Sequence, residues 1–229
     1  GDMTKWKGFG GGWILSGHIE GGYIHPLQSS PGPGRDAIRL TDRFFGTQMR
    51  GFDIRGIGPR IERIPYDAAG QLILDDKNRV TDALGGRAYY MGRIELEVPT
   101  SPGVRSLGIR PSAFVDIGSV WKITKPLLID QVGTCVPPLG SGLQPIVVNP
   151  PAPNPLCPAL GESGDPQYQF VPGFKEVFLG NSPKPRISVG IGFNWVSPFG
   201  PLRIDIAKAI VKQEGDDTRL FSFNVGTQF

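Results

Sequence analysis

The sequence contains no run of about 18 apolar residues, the length a helix needs to cross a bilayer, and this excludes a transmembrane helix. Histidine is nearly absent. His18 and His25 belong to no Ser/His/Asp or Cys/His arrangement in a strand-to-helix context, so no catalytic constellation, metal site or cofactor site is expected. The glycines of "GFGGGW" (8–13) lack the preceding strand and following helix of a phosphate loop and read as a turn. Cysteine is scarce as well. Cys135 and Cys157 enclose "CVPPLGSGLQPIVVNPPAPNPLC", a spacing that fits no zinc pattern. Two readings remain for them: free thiols, or a disulfide closing the loop, which the chain-entropy model values at about 3 kcal/mol. The disulfide would imply an oxidising compartment. A large excess of charge is also missing: the net charge of +3 does not describe a general polyanion binder. Nor does the opening "GDMTKWKG" resemble a signal peptide. An envelope protein carries one, so the chain reads as part of a longer precursor.

What the sequence does contain is glycine (33), proline (23) and long alternation. Gly and Pro at this level favour many turns over helices. In "RISVGIGFNWV", Ile187, Val189, Ile191, Phe193 and Trp195 share one face, opposite Arg186, Ser188, Gly190, Gly192 and Asn194. The final "LFSFNVGTQF" (220–229) sets Phe221, Phe223, Val225, Thr227 and Phe229 against Ser222, Asn224, Gly226 and Gln228. "LRIDIA" opposes Leu202, Ile204 and Ile206 to Arg203 and Asp205, and Trp13–His25, Tyr89–Val98 and Leu107–Trp121 complete a set of about six long strands. Lys5–Phe9 is a possible short seventh.

Period-two alternation of this length fits an antiparallel sheet whose faces meet different solvents. A tilted strand needs about 9–11 residues to cross a bilayer, whereas strands of soluble sheets average about 5–6. Aromatic residues at strand ends (Trp13, Tyr23, Trp121, Trp195 and Phe229) suit interfacial girdles. Tight turns at "TSPGV" (100–104) and "SPFGP" (197–201) alternate with long connections, 26–86 and 122–184, and a shorter "KQEGDDT". The expected fold is therefore all-β, an antiparallel transmembrane β-barrel with long extracellular loops. Six strands are fewer than the eight of the smallest single-chain barrels, so residues 1–229 read as the C-terminal portion of a larger barrel. Its two open edges would lead the fragment to self-associate.

Six arginines, Arg35, Arg39, Arg43, Arg50, Arg55 and Arg60, crowd into the first long connection. They centre on "MRGFDIRGIGPR" (49–60). "DRFFGTQMRGFDIRGIGP", "LGGRAYYMGRIELEVPT", "GIRPSAFVDIGSVW", "WVSPFGPLRIDIA" and a terminal phenylalanine together resemble, in order, the C-terminal half of BamA-type barrels. These belong to the outer-membrane assembly and two-partner-secretion transporter superfamily, also called the bacterial surface antigen family.

The resemblance implies that Met49-Arg50-Gly51-Phe52 is the motif of a loop folded back into the barrel. It further implies that Arg50 meets acids of the inner wall, placing them at Glu95 and Asp116. Strand parity independently turns both carboxylates inward, since Ile94, Leu96, Val115 and Ile117 take the opposite face. A solvated loop with Arg50 unpaired is the simpler alternative. Glu95 and Glu97 read as structural counter-charges rather than a catalytic pair. The resemblance also implies a terminal assembly signal carried by Phe221, Phe223, Val225 and Phe229. It implies POTRA domains and first barrel strands absent from this chain, and residence in the outer membrane of a Gram-negative bacterium.

The function implied is non-enzymatic: folding and insertion of β-barrel proteins through a lateral seam that destabilises the membrane locally. Implied partners are outer-membrane lipids and lipopolysaccharide, unfolded outer-membrane proteins and assembly-complex lipoproteins; the clustered outer arginines Arg35 and Arg39 are candidate contacts for lipopolysaccharide. Nucleic acid is not expected, because the arginines lie in a loop without interleaved stacking aromatics. A two-partner secretion or autotransporter-assembly barrel of the same superfamily, and a passive porin-like channel, are the alternatives.

Overall fold

The computed structural model describes residues 1–46, 48–150, 157, 168–197 and 200–225, without the side chains of Arg105 and Ser197. Two antiparallel sheets account for the strands. The first contains β1 (Asp2–Gly8), β2 (Ile14–Tyr23), β5 (Ala88–Glu97), β6 (Ile109–Trp121), β10 (Arg186–Ser197), β11 (Gly200–Val211) and β12 (Phe221–Val225), hydrogen-bonded in that order. The second contains β3 (Arg60–Pro65), β4 (Val80–Ala83), β7 (Asp130–Val136), β8 (Ile146–Val148) and β9 (Gln169–Leu179), in the order β4-β3-β9-β7-β8. Among the described residues no helix is long and apolar enough to cross a membrane; the long elements are strands.

The seven-stranded sheet has one apolar and one polar face. On β10, Val189, Ile191, Phe193 and Trp195 are exposed, while Arg186 and Ser188 are fully buried. Phe221 and Phe223 on β12 and Ile206 on β11 extend the exposed apolar band, and Asp205 and Ser222 lie buried on the reverse. Two aromatic side chains sit at opposite ends of the band with a polar contact each. Trp195 Nε1 donates to the Leu107 carbonyl (3.0 Å), and Lys122 Nζ lies 4.6 Å above the Tyr23 ring. Such rings, apolar in body and polar at one edge, fit a membrane–water boundary.

Among the described residues the sheet has seven strands, the seventh being the short one expected at Lys5–Phe9, which here spans Asp2–Gly8. β1 pairs along its length with β2, from Asp2↔Glu20 to Gly8↔Ile14. The register puts Lys5 and Lys7 in line with Leu15 and Gly17 on the apolar face, and Trp6 beside Ser16 on the other. β1 therefore lacks the alternation by which the other strands are legible. The "GFGGGW" stretch is a turn, with a single 3₁₀ segment at Gly10–Gly12 closed by Phe9 N–H donating to the Trp13 carbonyl (2.8 Å). The turn expected at 100–104 instead carries a short helix, Pro102–Ser106. Pro198 and Phe199 of the other expected turn, and residues 226–229 of the last strand, lie outside the described residues.

Nor are the two long connections mere loops: together they build the second sheet. β3 from the first pairs with β9 from the second, from Arg60↔Leu179 to Pro65↔Phe174. Buried Tyr66 donates to Asp130 Oδ1 (2.7 Å), and burial, reinforced by that carboxylate, pushes its phenol up to about 12. Cys135 on β7 forms a disulfide with Cys157, with a Cα–Cα distance of 5.4 Å.

Asp36 fastens the start of the first connection to the second. Its carboxylate accepts from the backbone N–H groups of Ile38 (2.9 Å) and Thr124 (2.7 Å), and Arg87 Nε lies 3.7 Å away. Burial alone would raise its pKa, but these donors and the positive charges of Arg87 and Arg43 hold it below the usual 3.8. A depressed carboxylate stabilises the fold fully above its unfolded value and loses that contribution as pH falls through the folded one. Protection of the Thr124 amide, its exchange relative to the intrinsic rate at each pH, should therefore be full above about pH 4 and fall below it. Asp36→Asn should flatten that acid limb, and an unchanged limb would refute the assignment.

Candidate functional site

The segment Met49–Phe52 turns back onto the polar face of the first sheet. Phe52 N–H donates to the Met49 carbonyl (3.2 Å), and Gly51 has φ +85°, a left-handed conformation that favours glycine. Close approach gives a second reason for glycine here: a Cβ at Gly51 would lie 2.9 Å from Ser188 Cβ and 3.4 Å from Ala207 Cβ. Met49, Phe52 and Ile57 are buried with Met91 and Val120 of the wall in one apolar cluster. The segment is held from the other side by the β11–β12 connection. Phe52 bridges to Thr218, Asp53 N–H donates to the Asp217 carbonyl (3.0 Å), and Asp217 N–H to that of Gly56 (2.8 Å).

This packing aims Arg50 at the wall. Its Nε and Nη2 grip Asp116 in a two-point contact (2.9 and 2.6 Å), Nη1 reaches Glu95 Oε2 (2.8 Å), and its own N–H donates to Asp116 Oδ2 (3.2 Å). The guanidinium lies 3.3 Å above the Phe114 ring. A planar cation with a forked donor set fills this position as a lysine cannot.

Three further charges complete the cluster. Arg93 Nε contacts Asp116 Oδ1 (3.2 Å), and Arg203 Nη2 contacts both Glu95 Oε1 (3.0 Å) and Asp205 Oδ1 (2.9 Å). Asp205 Oδ1 is 3.9 Å from Arg50 Nη1. Three arginines thus face three carboxylates, and Ser112 Oγ adds a bond to Glu95 (2.6 Å). With each carboxylate engaged by guanidinium donors, none is a free general base. The arrangement clamps a loop.

Sequence reasoning brings Met49, Arg50, Gly51 and Phe52 to the same place as Glu95 and Asp116, and the structure places them together. It did not identify Arg93, Arg203, Asp205 or the Phe114 platform as members. Parity was the available signal, since Arg93 shares the face of Glu95, and Arg203 that of Asp205. Glu97 stands apart, 3.7 Å from Arg110. Of the other arginines in the stretch, Arg55 stacks over Phe45 (4.5 Å) and buried Arg60 donates to the Arg55 carbonyl (2.9 Å). Phe221, Phe223 and Val225 lie exposed on the sheet's edge strand, Phe229 is outside the described residues, and Cys135 and Cys157 belong to the second sheet.

Glycines on β10 make room for the cluster. A Cβ at Gly190 would approach the Phe114 ring to 2.6 Å, and one at Gly192 would lie 2.6 Å from Asp205 Oδ1 and 2.8 Å from Arg203 Nη2. Gly192→Val should push Arg203 off Glu95 and lower stability by about 1–3 kcal/mol, the usual range for overpacking. The urea midpoint in detergent checks this; an unchanged midpoint would show that the gap is incidental.

A sequence model described as the Omp85 superfamily domain matches residues 2–229. An outer membrane protein assembly factor BamA from Neorickettsia risticii (strain Illinois) is 25% identical over 240 residues, covering 99% of this chain and 24% of the relative. The chain thus spans about a quarter of the length of that relative. The crystal structure of BamA from Haemophilus ducreyi lacking POTRA domains 1–3 is 22% identical, with a TM-score of 0.49, over 97% of this chain and 33% of that one.

Proposed function

We propose, since the chain belongs to the Omp85 superfamily, that it is the C-terminal part of a barrel that folds and inserts other β-barrel proteins into the outer membrane. Its own place is the outer membrane of a Gram-negative bacterium, which the family membership and the two-faced sheet share. The work is non-covalent and needs no cofactor. A weak lateral seam thins and disorders nearby lipid, and an exposed strand edge templates the incoming chain. The substrates are unfolded outer-membrane proteins, and lipoproteins of an assembly complex are the standing partners of the longer protein. β12, with Phe221, Phe223 and Val225 on its lipid-facing side, carries the signal by which this barrel is itself recognised.

The observation that carries the reading is the loop at 49–57, seated on the polar face and clamped by Arg50. A segment fixed across the inner wall obstructs steady passage, and in an assembly barrel the clamp stiffens the C-terminal strands beside a seam that must open. Proteoliposomes containing the longer protein should accelerate insertion of an unfolded barrel substrate and show little steady conductance. Large conductance without insertion would replace this reading with the passive channel. For the chain alone, whose sheet ends at β1 and β12, self-association through those edges is expected, and light scattering showing a monodisperse monomer in detergent would contradict it.

A further inference from the structure

A basic cleft lies beside the β11–β12 connection, at the edge of β11 between the apolar and polar faces of the first sheet. Among the described residues the β11–β12 ladder covers Leu202–Ile206 against Val225–Phe221, with one further bond from Ala207 N–H to the Leu220 carbonyl (2.9 Å). Beyond it the chain turns inward, where residues 217–219 hydrogen-bond with 51–56. A cleft of about 370 Å³ opens where β12 has left the sheet, walled by Lys208, Lys212, Thr218, Arg219 and Leu220 and floored by Gly51, Ala207 and Ala209 of the polar side.

The charges around this cleft are sorted. The acids of the connection act inward: Asp216 is fully buried on Arg186. Burial holds the pKa of Arg60 below its usual value, against the opposing pull of Asp216 and Asp217. Arg219 Nη1 contacts Asp53 (3.2 Å), but its Nε is buried without a hydrogen-bond acceptor. Among the described residues, no carboxylate lies within ion-pair distance of Lys208 or Lys212. Lys208 takes its place on β11 in line with Ile204 and Ile206, on the exposed apolar face, above Phe221 and Phe223. Three cations and an orphaned donor thus top an apolar band at the long-loop end of the strands. In an outer-membrane barrel that end faces outward.

We propose that this cleft binds a phosphorylated lipid of the outer leaflet, with the phosphate among Lys208, Lys212 and Arg219. Its acyl chains lie along Ile206, Phe221 and Phe223. Lysine serves here as a point charge for phosphate, and its aliphatic stem continues the apolar surface. The inference rests on the outer-membrane placement given above but not on the insertion activity.

The test uses the chain in detergent micelles, with bisphosphorylated lipid A and its dephosphorylated form as probes, read by native mass spectrometry. The chain should bind the phosphorylated form at least about tenfold more tightly. The Lys208→Gln/Lys212→Gln variant should lose that preference, while Lys208→Arg/Lys212→Arg keeps it. Equal binding of both lipids by the unmodified chain, or an undiminished preference in the glutamine variant, would overturn the proposal. Displacement of lipid A by millimolar inorganic phosphate would overturn the commitment to a lipid. A gel shift on heating verifies that each variant is folded; should the glutamine variant fail to fold, the two-lipid comparison and the arginine variant decide alone. No insertion assay enters, so failure here leaves the proposed function standing, and failure of insertion leaves this site standing.

Discussion

Arg50→Ala should lower the stability of the barrel by about 3–5 kcal/mol, the penalty typical of removing one partner from a buried ion pair. Asp116 is fully buried and the Glu95 side chain is 14% exposed, and Arg50 supplies each with direct hydrogen bonds. Arg93 would remain on Asp116 at 3.2 Å and Arg203 on Glu95 at 3.0 Å, which sets the upper bound. The Phe114 ring would lose its stacked cation, and the Met49–Phe52 turn the only side chain tying it to these carboxylates. Arg50→Lys should recover little, because an ammonium cannot hold Asp116 at two points while reaching Glu95. The temperature at which the folded, fast-migrating form disappears on a gel gives the readout. An Arg50→Ala protein with an unchanged transition would show that the cluster is held by its wall residues alone.

Arg186→Ala should be comparably damaging, at about 3–5 kcal/mol, because it strands a fully buried carboxylate. Arg186 and Asp216 are both inaccessible to solvent, and the guanidinium meets Asp216 through Nε (3.0 Å) and Nη2 (3.1 Å). Its other donors go to Ser119 Oγ (2.8 Å) and to the carbonyls of Ser182 (3.0 Å) and Gly180 (3.1 Å). Asp216 in turn accepts from Gln213 N–H (2.7 Å), fixing the β11–β12 connection. Asp216→Asn keeps an oxygen for these donors, so its loss should be smaller, about 1–3 kcal/mol. Since that connection hydrogen-bonds with residues 51–56, Arg186→Ala should also hasten amide exchange at Asp53 and Asp217. Combined with Arg50→Ala, the loss should fall short of the sum, because both changes release the same pair of segments. Strict additivity would mean that the two clamps act independently.

The two-faced strands were legible because their faces meet different solvents: Ile187 to Trp195 alternate so regularly that only one orientation of β10 keeps the apolar set together. The same parity turned Glu95 and Asp116 toward Arg50. β1 was legible only as a short strand at Lys5–Phe9, since Lys5 and Lys7 share the apolar face, Trp6 takes the polar one, and no alternation marks its start at Asp2. The second sheet escaped because its strands are short and β3 finds its partner β9 more than a hundred residues away, through pairing that leaves no local signal. Arg203 reaches Glu95 only across the gap left by Gly190 and Gly192, a diagonal contact that depends on register and twist rather than on alternation. For Asp216 and Asp217, adjacent in one turn, nothing local distinguishes the carboxylate that goes inward to Arg186.

The most direct test of the loop as a clamp within an assembly barrel is the rate at which the longer protein, bearing Arg50→Ala, inserts an unfolded barrel substrate into liposomes. If the clamp stiffens the strands beside the seam, insertion should slow at least about tenfold, a barrier change of about 1.4 kcal/mol. Arg50→Lys should remain similarly slow. Insertion at the unmodified rate, by protein shown to be folded in the membrane, would contradict it.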